Sequence, residues 1–249
     1  MSDILLSAKN ITRRFMGLTA IDRVSLTLRR GALHAVIGTN GAGKSTLVSV
    51  LAGELAPDEG TIFLQQQEVT SWSQPRRARA GMGRSYQRTT IFPSLSVHEN
   101  CRLAAQANLQ KFWNWTSPAK NCRYSIEAAD QAISLAGLEA DVRQTAGLLS
   151  HGRKRQLEIA MSLATQPSVL LLDEPLAGMG SEETERMLDL LASLKTKHAI
   201  LLVEHDMDAV FKVADEITVM VNGQVIAHGE PQAIRSNIDV QTAYLGEGQ

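Results

Sequence analysis

The chain has 249 residues, with 25 Lys and Arg against 26 Asp and Glu, 44% hydrophobic and 20% charged residues. This is ordinary folding composition with enough apolar material for a sizeable core, and it excludes collagen-like, disordered and disulfide-scaffold classes. No apolar run approaches the roughly 18–20 residues of a membrane helix, Cys101 and Cys122 are too few for a disulfide framework, and Met1–Leu6 has no basic segment ahead of a long apolar stretch, so a reducing cytosol is the expected compartment.

In chain order, residues 4–11 and 21–28 alternate as strands do, and Leu33–Ile37 is a short strand that runs into a glycine-rich turn. Residues 44–53 follow as a helix ending at Gly53, and Gly60–Leu64 returns as a strand. The middle reads as helices over 96–109 and 125–136, separated by an irregular aromatic stretch with Phe112, Trp113 and Trp115. A helix over 153–166 is closed by Pro167. Two strand-then-helix units come next, 168–173 with 181–195 and 199–203 with 206–213. Strands at 216–221 and 224–227 turn at Asn222-Gly223. Buried strands alternating with helices predict a mostly parallel sheet, with the central helices inserted between two of its parts.

Charge is divided unevenly. Residues 1–125 carry 16 Lys/Arg and 7 Asp/Glu, whereas residues 126–249 carry 9 and 19. Arg76, Arg77, Arg79, Arg84 and Arg88 read as a solvated basic face, because no aromatic-basic recognition motif accompanies them; no nucleic-acid partner is expected.

Residues 38–46, Gly38-Thr39-Asn40-Gly41-Ala42-Gly43-Lys44-Ser45-Thr46, match G-x-x-x-x-G-K-[ST] between a predicted strand and a predicted helix. Glycines let successive N–H groups turn inward onto phosphate, and the helix N-terminus adds partial positive charge. Lys44 supplies a mobile cation to the β/γ-phosphates of a nucleotide, and the Ser45 hydroxyl can join a Mg²⁺ shell; such a loop by itself also suits a kinase or a GTPase. The apolar strand Val169–Leu172 then ends in Asp173-Glu174. Asp173 is expected to hold Mg²⁺, directly or through water, and Glu174 to polarise the attacking water.

Four further stretches narrow the class. Leu149-Ser150-His151-Gly152-Arg153 resembles the L-S-G-G-Q signature of ATP-binding-cassette (ABC) transporter ATPases. His205 sits just after a strand, as the switch histidine of that family does; Gln87 stands at its glutamine loop, and Phe15 at the aromatic that stacks on adenine. Order and spacing together resemble that family over essentially the whole chain. The resemblance implies an α/β P-loop ABC ATPase fold, with a mostly parallel core sheet, an antiparallel β part and an inserted helical subdomain. Its limits are approximately 1–86 and 168–249 for the core and 87–167 for the helical subdomain. It places Gln87 at the nucleotide and Mg²⁺, and gives His205 a catalytic role beside Glu174 and Lys44. It also implies head-to-tail pairing, in which Ser150 and Gly152 of one subunit close on the ATP of the other. Soluble ABC ATPases of DNA repair or translation control carry long coiled coils or two cassettes, and neither is present here.

His151 and Arg153 depart from the general signature, putting bulk and positive charge on it, and Gly180 stands where an interface aspartate is usual. With Leu157-Glu158-Ile159-Ala160, Val203–Asp208 and Ala243–Gly246, these departures resemble the larger of the two paralogous ATPases of the high-affinity branched-chain amino acid importers. Urea and short-chain amide importer ATPases and the lipopolysaccharide-exporter ATPase share parts of the pattern. The resemblance implies a paralogous ATPase as partner, with an identical copy the alternative, two permease subunits, a periplasmic binding protein that contacts the complex indirectly, and a peripheral position on the cytoplasmic face of the inner membrane. Gln87–Asn100 is the candidate surface for the permease's coupling helix, and the Phe112–Trp115 insertion reads either as a membrane or permease contact or as packing.

Overall fold

The computed structural model describes residues 3–86, 90–109 and 122–245. Gln87, Arg88 and the insertion with Phe112, Trp113 and Trp115 lie outside the described residues.

The chain opens with the long hairpin β1 (Ile4–Phe15) and β2 (Leu18–Arg29), followed by β3 (Leu33–Gly38) and α1 (Lys44–Ala52). Then come β4 (Glu59–Leu64), the two-residue β5 (Gln67–Glu68), α2 (Gln74–Arg79) and β6 (Met82–Arg84). Three helices succeed them: α3 (Val97–Leu109), α4 (Arg123–Leu135) and α5 (His151–Ala164). The last part is β7 (Val169–Asp173), α6 (Ser181–Lys195), β8 (Ala199–Val203), α7 (Met207–Val213), β9 (Glu216–Val221) and β10 (Gln224–Gly229), closed by α8 (Pro231–Arg235) and α9 (Ile238–Leu245).

The strands form two sheets. One is antiparallel in the order β2-β1-β4-β5; the other runs β10-β9-β3-β8-β7-β6 and is parallel except for β10. Every residue of β3, β7 and β8 is buried, as parallel strands covered on both faces must be. Their side chains alternate between two cores. Leu33, Ala35, Ile37, Leu170, Leu172, Ile200 and Leu202 face a core shared with α3–α7, and Val36, Val169, Leu171, Leu201 and Val203 face one shared with α1 and the antiparallel sheet. The helices α3, α4 and α5 lie between β6 and β7 in sequence, and those two strands pair directly as parallel neighbours.

Several sequence expectations shift. The hairpin is longer than 4–11 and 21–28 because register shifts between Ala8 and Arg14 break the period-two pattern without ending the pairing. The helix expected over 153–166 begins at His151, since the Ser150 hydroxyl caps it by accepting the Arg153 N–H at 3.3 Å. The short β5, α2, β6, α8 and α9 carry too few residues for a period to be read.

The basic face needs a correction. Arg77 is 1% exposed, and its guanidinium donates to the carbonyls of Val50 and Leu51 at the end of α1 and of Thr70 at 2.8, 2.6 and 2.8 Å. It satisfies the last carbonyls of the phosphate-loop helix from within the core, and burial pulls its pKa down to about 10. Arg84 is paired with Glu54 at 2.5 Å, and Arg76 lies over the Trp72 ring. Charge type alone does not report whether the ends of a neighbouring helix need donors. In the Gln87–Asn100 stretch, Asn100 is buried and holds the Phe92 N–H and C=O at 2.7 and 3.1 Å, so it braces the loop from inside, while Phe92 is exposed.

Candidate nucleotide site

The cleft lies at the carboxyl ends of β3, β7 and β8, where parallel sheets place their ligand sites. Gly38 ends β3, and α1 starts at Lys44 with Gly43 in its cap position at φ 94°. A Cβ on Gly43 would stand 2.2 Å from the Ala20 carbonyl, so this turn requires glycine on both conformational and steric grounds. No side chain caps α1 and no acidic residue enters its first turn. Its leading amides and dipole are therefore available to an anion.

Asn40, Gly41, Gly43, Lys44, Ser45 and Thr46 all line a cleft of about 580 Å³, which also receives Phe15 and Glu174; ligand pockets typically span roughly 300–1,000 Å³. Lys44 folds across the loop, its ammonium donating to the Gly38 and Thr39 carbonyls at 2.7 and 2.9 Å. The Ser45 hydroxyl lies 3.4 Å from Asp173 Oδ1. Asp173 is 3% exposed, and burial first, then neighbouring Glu174, hold its carboxyl above the usual range against the opposing pull of Arg84 and Lys44. A buried carboxylate beside a hydroxyl is a hard-oxygen donor set. It fits Mg²⁺, which takes few protein ligands and whose charge would offset the desolvation of Asp173.

Glu174 adopts φ 50°, an uncommon left-handed conformation for a residue with a side chain. The turn is held by its N–H donating to Val203 at 2.9 Å. Its Oε1 is 4.0 Å from His205 Nδ1, and the His205 side chain is 60% exposed. Asp206 caps α7 by accepting the Ala209 N–H at 3.1 Å, which fixes where the His205 loop ends.

Phe15 ends β1 and lines the cleft, 39% exposed, with the Arg13 guanidinium 4.8 Å over its ring. Phe15→Ala is expected to raise the Michaelis constant for ATP with little change in turnover at saturation, since a stacked base is held equally in ground and transition states. Steady-state hydrolysis checks this; a collapse of maximal rate at constant Michaelis constant would make Phe15 a packing residue.

Ser150 and Gly152 lie apart from this cleft, at the N-terminus of α5. There the Ser150 hydroxyl contacts Glu183 of α6 at 3.3 Å. A Cβ on Gly152 would come 2.6 Å from the Glu183 carboxyl, so glycine permits the close approach. The departing signature residues are accommodated locally. The His151 ring would be 3.3 Å from a Cβ on Gly178, in the loop after β7. Arg153 turns back to donate to the Gly137 carbonyl at 2.7 Å and pairs with Asp141 at 3.5 Å, so its charge is matched within this chain and does not add the unpaired positive surface its residue type predicts.

Sequence reasoning missed three contributors. The Asn222-Gly223 turn lines the cleft and ties it together, the Gly223 N–H donating to Ala42 at 3.1 Å and its carbonyl accepting from Asp22 at 2.8 Å. The dipeptide signalled a turn but not what the turn would touch. Glu183 carries no motif signal, and Glu204 falls within Val203–Asp208 without a role of its own that the stretch reveals.

A strand–loop–helix phosphate cradle facing a carboxylate pair two strands away, across β8, defines a P-loop nucleoside triphosphatase. Residues 21–177 match the ABC transporter family, and residues 224–249 match the family described as branched-chain amino acid ATP-binding cassette transporter. The High-affinity branched-chain amino acid transport ATP-binding protein LivG of Salmonella typhimurium and that of Escherichia coli K12 are each 38% identical, over 99% of this chain and 100% of theirs. BraF of Pseudomonas aeruginosa, with the same description, is 35% identical with the same coverage. A nucleotide-free ATP-binding cassette from an ABC transporter superposes with TM-score 0.86 at 28% identity, covering 97% of this chain and 98% of that one. A cassette in its ADP conformation gives 0.84 at 28%, covering 98% and 99%. The chain belongs to the ABC transporter ATPase family and is an ATP-binding, ATP-hydrolysing subunit of that class.

Proposed function

We propose that this chain powers an importer of branched-chain, hydrophobic amino acids, acting at the cytoplasmic face of the inner membrane in a complex with a second ATPase and two permease subunits. The observation that carries the catalytic part is the convergence of Lys44, Ser45, Asp173, Glu174 and His205 at the carboxyl ends of three adjacent buried strands. The substrate class is supported by the full-length likeness to LivG and BraF and by the match over residues 224–249. Peripheral attachment accords with the helices: among the described residues none is long and apolar enough to cross a membrane.

The reaction is ATP plus water to ADP, phosphate and a proton. The α1 amides and Lys44 hold the β/γ-phosphates, Phe15 stacks on the adenine, and Ser45 and Asp173, with Gln87, would hold Mg²⁺. Bound Mg²⁺ supplies charge neutralisation at the phosphate oxygens. Glu174 takes the proton of the attacking water, and His205 contacts the γ-phosphate from the neighbouring strand. Ser150 and Gly152 present the α5 N-terminus to the ATP of a partner cassette. Glu183 lies against both in the single chain. Gly180 brings no carboxylate to this interface, which supports a partner with its own matched loop, a homologous ATPase in preference to a second copy.

The test is reconstitution with the membrane partners that co-purify with the chain. ATP-dependent uptake of labelled leucine, isoleucine or valine is expected; uptake of urea or export of a lipid would replace the substrate assignment. In parallel, light scattering of the Glu174→Gln chain with MgATP, alone and with the co-purifying ATPase, is expected to give a stable dimer only in the mixture. A homodimer that assembles with the permeases and drives uptake unaided would defeat the heterodimer.

A further inference from the structure

Glu204 is the last residue before His205, at the end of β8, and it is 0% exposed. A carboxylate removed from water is unfavourable unless its oxygens are hydrogen-bonded, and a fold that needed only packing here would be served by an apolar side chain. Both Glu204 oxygens are engaged, each by a different catalytic loop. Oε1 accepts the Leu176 N–H at 2.8 Å, on the turn that begins with Glu174. Oε2 accepts the His205 N–H at 3.3 Å and lies 3.7 Å from His205 Nδ1. Its own N–H donates to Val36 of β3 at 3.4 Å, one strand further toward the phosphate loop.

The Glu174 turn needs such support. Glu174 sits at φ 50°, where a non-glycine residue is held only by what surrounds it. Two bonds tie the turn to the β8 end, Glu174 N–H to the Val203 carbonyl at 2.9 Å and Leu176 N–H to Glu204, while Ala177 N–H donates to the Glu174 carbonyl at 3.3 Å within the turn. The second fixes the downstream arm. Through the same carboxyl the His205 loop is set against that arm, and the 4.0 Å separation of Glu174 Oε1 from His205 Nδ1 is a consequence. Of the charged groups that act on this carboxyl, His205 stands on its own loop and Glu174 on the end of β7. Burial, opposed by the two backbone bonds, pushes its pKa up to about 7.

We infer that Glu204 is a positioning residue for hydrolysis: its side chain bolts the Glu174 turn to the His205 loop, so that both side chains address one γ-phosphate at a fixed spacing. It acts through Glu174 and His205. The inference rests on the assignment of those two residues above.

The experiment compares the wild-type chain with Glu204→Ala and Glu204→Gln variants, each assembled with the co-purifying ATPase and permeases for steady-state MgATP hydrolysis, and each alone for MgATP binding by fluorescence titration and for thermal melting. Glu204→Ala is expected to lower kcat by ten- to a hundredfold, while the Michaelis constant and the binding constant stay within about threefold. Glu204→Gln keeps one carbonyl oxygen for Leu176 N–H and is expected to recover part of the lost rate. A Glu204→Ala chain with kcat within twofold of wild type overturns the inference. So does loss of MgATP binding in step with the melting temperature in both variants, since Glu204 would then support the fold and not the spacing. A wild-type chain that neither binds nor hydrolyses MgATP would instead overturn the reading of the site, whatever the variants do.

Discussion

Glu174→Gln is expected to leave MgATP binding intact and to slow hydrolysis by about 10²–10⁴-fold, the range for losing a positioned base. The substitution keeps the side-chain volume, and the backbone bond to Val203 that supports the left-handed turn at φ 50° is a main-chain bond that it leaves in place. What disappears is the group that accepts a proton from water at a place already lined by the phosphate loop. Binding and chemistry should therefore separate. The variant holds ATP without turning it over, and with its partner cassette it runs as an ATP-dependent dimer on size exclusion. Phosphate release and nucleotide titration on one preparation check both halves. Turnover near that of the wild type would remove Glu174 from its role.

Lys44→Ala is expected to abolish tight MgATP binding. The Lys44 ammonium is held over the loop by the Gly38 and Thr39 carbonyls, 2.7 and 2.9 Å away, so the charge is already at the mouth of the cradle before a ligand arrives. The α1 amides contribute partial charge only, and among the described residues no other lysine or arginine lines the cleft. Charge-assisted hydrogen bonds are worth about 1.5–3 kcal/mol each, and two to the β- and γ-phosphates correspond to a loss of roughly a hundredfold or more in affinity. Titration with a fluorescent ATP analogue, alongside a melting curve showing that the chain remains folded, is the measurement. Micromolar affinity retained by the variant would sink the assignment of the phosphate loop.

Much of the site was legible because its parts are contiguous. Residues 38–46 hold in one short stretch the glycines, the lysine and the hydroxyl that a phosphate cradle requires, and Val169–Glu174 joins a buried strand to its carboxylates. The same is true of the helices over 181–195 and the strands over 199–203 and 216–221, whose runs are long enough for a period to emerge. Where the pattern was short or interrupted, reading failed. The bulged hairpin was truncated, α2 and β6 were not seen, and α5 began two residues early because its cap serine belonged to the signature.

The residues that join one stretch to another were out of reach. Arg77 has the composition of a solvated face and the position of a core brace, because the carbonyls it satisfies lie 26 and 27 residues before it on α1. Glu204 reaches a backbone N–H 28 residues away, and Gly223 reaches across the sheet to the phosphate loop at Ala42. Arg153 has its charge matched by Asp141, and Glu183 meets the signature from a different helix. The sequence by itself determined the chemistry, since a cradle, a base and a metal-binding carboxylate are properties of residue type and local spacing. Only the tertiary structure decided how those groups are held at working distance, since hydrogen bonds between segments far apart in the chain exist only once the two cores have brought the strand ends together.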